Sequence, residues 1–179
     1  VLSCAVALAE VKNFEAKKKN LDQEFRPVLA DPFNGTVPKK FQQDLAKYLW
    51  NGEDNFLDSK FIIVDTSMPE YFINFVRVDD VVEIIDHHSG TEDFWKEKLG
   101  EKSQIEAVGA CATQIFEYAE KVGKEFSVEV NEVLSNESLE LLYVAIFSNT
   151  LNFNAGVTTD RDSEAFVKIQ KLIELPQDY

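Results

Sequence analysis

Val81-Val82-Glu83-Ile84-Ile85-Asp86-His87-His88 is the stretch on which the fold of this chain turns. A near-continuous apolar run ends in a carboxylate, and two imidazoles follow it directly. Upstream, Lys60-Phe61-Ile62-Ile63-Val64-Asp65 has the same design without the histidines. Runs of this kind belong to parallel strands covered on both faces, because a half-exposed antiparallel strand would alternate apolar and polar residues. In doubly wound sheets, ligands bind beyond the carboxyl ends of the strands. Asp65, Asp86, His87 and His88 are therefore the candidate site. The chain has only 2 histidines, and both stand here.

Working outward, the opening Val1 to Lys12 reads as a buried helix. Its Ala7-Leu8-Ala9 could mimic the end of a signal peptide, but no basic leader precedes it and the pattern runs on into Glu10-Val11-Lys12. Lys17-Lys18-Lys19 continues that helix as a solvated face. Arg26 to Ala30 predicts a short strand ahead of the Asp31-Pro32 and Asn34-Gly35 turns. Pro38 to Trp50 predicts a helix from the spacing of Phe41, Leu45, Tyr48 and Leu49, and Pro69 to Phe75 a short helical connection. Downstream, Ser103 to Val108 is a weaker strand, and Gly109-Ala110-Cys111-Ala112-Thr113 leads into a helix through about Lys121. Glu137 to Phe147 is helical and apolar nearly all round. Asp160 to Leu175 is an amphipathic helix that Thr159 and Asp162 begin as a capping box. Trp50 and Trp95 read as packing residues. Strands alternating with helices predict an α/β domain, a parallel sheet flanked by helices on both faces.

Composition narrows the function. The 179 residues suit one domain, long enough to bury roughly 70% of its unfolded surface. No apolar run approaches the length of a membrane span. Lys+Arg total 18 against 32 Asp+Glu, a net charge of −14. Such a chain repels long nucleic acid, and handling phosphates would call for metal cations that reverse the field locally. Cys4 and Cys111 stand in apolar, Ala-rich surroundings and read as small core residues of a reduced, cytoplasmic protein. A carboxylate and an imidazole at one point suit manganese or zinc better than calcium.

The run Val82-Glu83-Ile84-Ile85-Asp86-His87-His88 resembles the signature of the DHH phosphoesterase superfamily, and three further motifs follow the family order. Ile63-Val64-Asp65 matches its second motif. Gly109-Ala110-Cys111-Ala112-Thr113 resembles the Gly-rich third, and Leu141 to Leu151 the fourth. Thr158-Thr159-Asp160-Arg161-Asp162 is most similar to the branch of family II inorganic pyrophosphatases and exopolyphosphatases. The resemblance implies a phosphoanhydride hydrolase with two manganese or magnesium ions that activate a water for attack on phosphorus. Asp65 would bridge the metals, and His87 and position 149 would ligate them. Asp86 would hold the histidines, His88 would meet the phosphate, and Gly109 and Thr113 would bind it.

Two features depart from that pattern. The family's Asp-x-Asp strand would precede Val1, and Asn149 stands where the family has a metal-binding Asp. An amide oxygen ligates without a negative charge. The second domain, which clamps substrate with Arg and Lys, would follow residue 179. Residues 1–179 are thus expected to form one DHH domain that carries part of an active site. The partners expected are a phosphate-containing small molecule, no long nucleic acid and no membrane, with a homodimer left open. Two alternatives stay open: a phosphodiesterase for short oligonucleotides or cyclic dinucleotides, and a non-catalytic protein that binds phosphate or nucleotide.

Overall fold

Three parallel strands, β1 (Phe61–Val64), β2 (Val81–Asp86) and β3 (Ser103–Ile105), lie in that order across one sheet. The computed structural model describes residues 1–29, 46–50 and 56–173. Around the sheet stand α1 (Leu2–Lys18), α2 (Glu92–Leu99), α3 (Cys111–Phe126), α4 (Val130–Val133), α5 (Asn136–Asn149) and α6 (Asp160–Leu172). The fold is α/β with a parallel sheet, as the apolar runs predict. Among the described residues, no helix is long and apolar enough to cross a membrane.

Beyond the register shift between Phe61 and Ile62, side chains alternate across the sheet, and each face finds its own cover. Val64 and Ile85 point into the larger core, where Leu8 and Val11 of α1 meet Ile115 and Phe116 of α3, Leu142 and Ile146 of α5, and Ile169 of α6. Ile84 and Val81 belong to a second cluster, packed on Trp95 of α2. Glu83 of β2 is buried, and Lys12 Nζ of α1 neutralises it at 2.9 and 2.7 Å while also reaching Tyr118 Oη at 3.1 Å. A carboxylate buried in a sheet needs such a partner.

Local signals explain where the helices begin and end. Ser135 precedes α5 and its Oγ accepts the Ser138 N–H at 3.2 Å. The α5 helix buries Leu139, Leu142 and Ile146 but leaves Val144 and Phe147 exposed, so its core stripe is narrower than its composition suggests. The α3 helix runs on to Phe126 and stops where Ser127 turns left-handed, at φ 55°. At Arg26 to Ala30 the described residues make a single parallel bridge, Leu29 to Leu49, instead of a strand; Pro27 lacks the N–H a ladder needs. The expected helix of Pro38 to Trp50 lies outside the described residues up to 45, and Ala46–Tyr48 is one 3-10 turn. Pro69–Tyr71 is likewise a 3-10 turn.

Trp95 links the fold to the site. It is fully buried and donates its indole N–H to Ser67 O at 2.7 Å, two residues beyond Asp65. Trp95→Phe keeps most of the packing but strands that carbonyl, so it is expected to cost about 1–3 kcal/mol. The midpoint of urea unfolding measures it, and an unchanged midpoint would mean that water replaces the indole.

Candidate metal centre

The parallel register sets Val64 beside Ile85, so β1 and β2 deliver Asp65 and Asp86 to one edge of the sheet. Asp65 extends the ladder by a further bond, its N–H donating to Ile85 O at 3.0 Å. Its φ of +60° then turns the chain into the left-handed region. Aspartate tolerates that region better than most residues, and backbone strain of this kind concentrates at functional sites.

Asp86 is fully buried and organises both histidines. Its Oδ1 accepts the His87 N–H at 2.7 Å and pairs with His88 Nδ1, also at 2.7 Å. Its Oδ2 is buried with no hydrogen-bond partner. A buried carboxylate oxygen without a donor is costly, and a nearby cation would relieve it. With Nδ1 tied to Asp86, the half-exposed His88 ring keeps Nε2 for another partner.

His87 carries the most telling geometry. Its Nδ1 lies 3.1 Å from Val108 O. A carbonyl only accepts, so Nδ1 bears the proton and the neutral ring turns its Nε2 lone pair to Asp65 Oδ1, 3.3 Å away. Two acceptors at that distance require a proton or a cation between them. Without a metal, a proton serves: the Asp65 hydrogen bond, aided by Val108, raises the His87 pKa above its ordinary value against burial. Burial opposes the charge on Asp65, but the hydrogen bond from His87 helps to hold its carboxyl below the usual range. One ligand atom from each of Asp65, Asp86, His87 and His88 lies within 4.8 Å of the other three. Carboxylates and imidazoles in that space fit manganese, which takes O and N donors.

The remaining candidate residues are Asn149, Gly109 and Thr113. Asn149 ends α5 and is exposed, with Nδ2 donating to Ala145 O at 2.8 Å. Its neighbour Thr150 lies beside Gly109, where an added Cβ would come within 3.0 Å of Thr150 Cγ2. The end of α5 therefore abuts the loop whose Val108 carbonyl orients His87. Asn149→Asp cannot donate to Ala145 O, and the added charge is expected to tighten manganese binding by about tenfold. Isothermal titration of both proteins measures this, and unchanged affinity would place residue 149 away from the metal.

The donors expected to grip phosphate are occupied by a carboxylate of the chain itself. Asp162 Oδ2 accepts Gly109 N–H at 2.9 Å, and Oδ1 accepts Ala110 N–H at 3.1 Å and the Thr113 hydroxyl at 2.7 Å. Thr159 adds its N–H at 2.8 Å and its hydroxyl at 2.7 Å to Oδ2. The capping box is present, but its acid also fastens the β3–α3 loop. Sequence spacing reveals only the local half of this role, because the other partners of Asp162 lie far along the chain.

No protein-family model matches the chain. Among curated proteins it is similar to one from Archaeoglobus fulgidus named probable manganese-dependent inorganic pyrophosphatase. The two are 25% identical over 167 residues, 88% of this chain and 45% of that protein. It is also 30% identical over 129 residues to the manganese-dependent inorganic pyrophosphatase of Methanothrix thermoacetophila, covering 68% of this chain and 36% of that one. A solved structure from Methanococcus jannaschii, of a protein assigned to family II inorganic pyrophosphatase, matches with a TM-score of 0.48 at 21% identity, over 90% of this chain and 44% of that one. The chain spans less than half the length of the curated relatives it matches.

Proposed function

We propose that this chain carries the metal-binding domain of a manganese-dependent phosphoanhydride hydrolase whose substrate is pyrophosphate. The carrying observation is the 3.3 Å opposition of His87 Nε2 and Asp65 Oδ1, a gap that a proton or a metal cation fills, beside the unpartnered Asp86 Oδ2. Two sequence relatives named as manganese-dependent inorganic pyrophosphatases support it. Asp65 and His87 would hold manganese, with Asn149 as a weaker, neutral ligand. When bound, the metal would supply Lewis-acid polarisation of phosphate and activation of water near neutral pH.

The chain's own residues divide the remaining work. Asp86 fixes both rings: it takes the His87 main-chain N–H and the His88 Nδ1. His88 then offers Nε2 from the exposed side of the cluster, where it can donate to a phosphate oxygen or move a proton. Val108 O holds the His87 ring in the tautomer that leaves Nε2 free. A chain of net charge −14 repels a polyanion, so local cations are what let pyrophosphate approach.

The experiment is phosphate release with manganese from a panel of pyrophosphate, short polyphosphate and dinucleotides. It uses a protein in which residues 1–179 are extended at both ends, because residues 1–179 alone are expected to carry only part of the site. Manganese-dependent release from pyrophosphate is expected. Cleavage of dinucleotide but not pyrophosphate would make the protein a phosphodiesterase, and manganese binding with no turnover would make it a phosphate-binding protein.

A further inference from the structure

Asp65 faces a second set of ligand atoms. Cys4 lies in the first turn of α1, and Cys111 is the first residue of α3. One atom from each of Cys4, Asp65 and Cys111 lies within 4.8 Å of the other two. The cysteines are 2% and 1% exposed, and neither forms a disulfide. Cys111 Sγ contacts Ile85 O at 3.4 Å, the same carbonyl that accepts the Asp65 N–H. Cys111 is thus tied to the strand ends that carry the His87 cluster.

This spacing suits a tetrahedral cation. Metal–sulfur bonds near 2.3 Å place two thiolate sulfurs about 3.8 Å apart, inside the 4.8 Å limit these atoms meet. The donor chemistry differs from that of the neighbouring cluster. Two sulfurs and one carboxylate select soft or borderline metals such as zinc and cadmium, whereas imidazole and carboxylates accept manganese. A metal must displace the proton of each thiol it binds. Both cysteines stand at helix N-termini, whose positive dipole ends help to offset that cost.

We propose that Cys4, Cys111 and Asp65 form a binding site for a thiophilic divalent cation of the zinc and cadmium class. As it binds, each thiol gives its proton to solvent and each sulfur lone pair bonds the metal. Because Asp65 belongs to both donor sets, occupancy here competes with manganese at His87. The site goes beyond the hydrolase reading and does not depend on it: its ligands exist whether or not the chain turns over pyrophosphate.

The test is titration of cadmium into the reduced, metal-free protein, followed by the ultraviolet thiolate-to-cadmium charge-transfer band. The chain has 2 cysteines, so any such band reports them. Saturation at one cadmium per chain is expected. Cys4→Ser and Cys111→Ser should each halve the band and weaken binding by at least roughly tenfold, as loss of a ligand does. Asp65→Asn should keep the amplitude and lower the affinity, while His87→Ala, which removes no sulfur, should keep the amplitude at one equivalent. Cadmium-113 resonance of the unaltered protein gives a readout that needs no variant, with a shift expected for two sulfurs. No band at one equivalent, a shift of an all-oxygen and nitrogen site, or saturation only as circular dichroism reports unfolding would each overturn the proposal.

Discussion

Alanine in place of Asp162 is expected to cost on the order of 5 kcal/mol, a large share of the 5–15 kcal/mol that holds a domain together. Its carboxylate is fully buried and accepts from Gly109, Ala110, Thr113 and both donors of Thr159. Each buried donor left unpaired costs roughly 1–3 kcal/mol, and a single water could not accept from all of them. Asp162→Asn keeps the shape but turns an amide NH2 toward donors, so about 2–3 kcal/mol is expected. Urea midpoints measure both. Losses below about 1 kcal/mol in each variant would mean that water fills the site as well as the carboxylate does.

Acid should expose the same group. Burial opposes the Asp162 charge, yet hydrogen bonds from Thr113, Thr159 and Gly109 hold its pKa below the ordinary value. Its contribution is therefore full above the unfolded carboxylate pKa of about 4. It is lost as the pH falls through the lower folded-state value. Asp162→Asn should be less stable at neutral pH and show a shallower loss below pH about 4.

How legible was this molecule in its sequence? The strand ends were, because Lys60 to Asp65 and Val81 to Asp86 are apolar runs closed by an acid, and the parallel register brings those acids together. The pairing of Asp65 with His87 at 3.3 Å follows from that register. The α2 helix carried weaker signals, acids in its first turn and Trp95 four residues before Leu99, and its short length hides the period. The Val108 carbonyl has no side-chain signature at all, although it fixes the His87 tautomer. Asp162 was legible as a cap through Thr159, but Gly109 and Thr113 lie 53 and 49 residues away. Cys4 and Cys111 look like core residues because they are core residues; their nearness to Asp65 is a product of packing α1 on α3.

His87→Ala and His88→Ala are expected to separate holding the metal from handling the phosphate. His87 turns Nε2 to Asp65 and is shielded, whereas His88 is half-exposed and tied to Asp86 through Nδ1. Loss of His87 should lower manganese affinity by about 100-fold or more. Pyrophosphate turnover should fall about 1000-fold, since a catalytic metal supplies several kcal/mol and each 1.36 kcal/mol is about tenfold. On the proposed division, in which Asp65 and His87 hold the metal and His88 meets phosphate, loss of His88 should leave manganese affinity within about threefold while kcat falls about 100-fold or more. Calorimetry with manganese and phosphate release at saturating metal measure the pair. Raising the manganese concentration should recover part of the His87→Ala loss and none of the His88→Ala loss. Equal affinity losses in the two variants would place both rings on the metal, and unchanged affinity in His87→Ala would remove the Asp65–His87 pair from the metal site altogether.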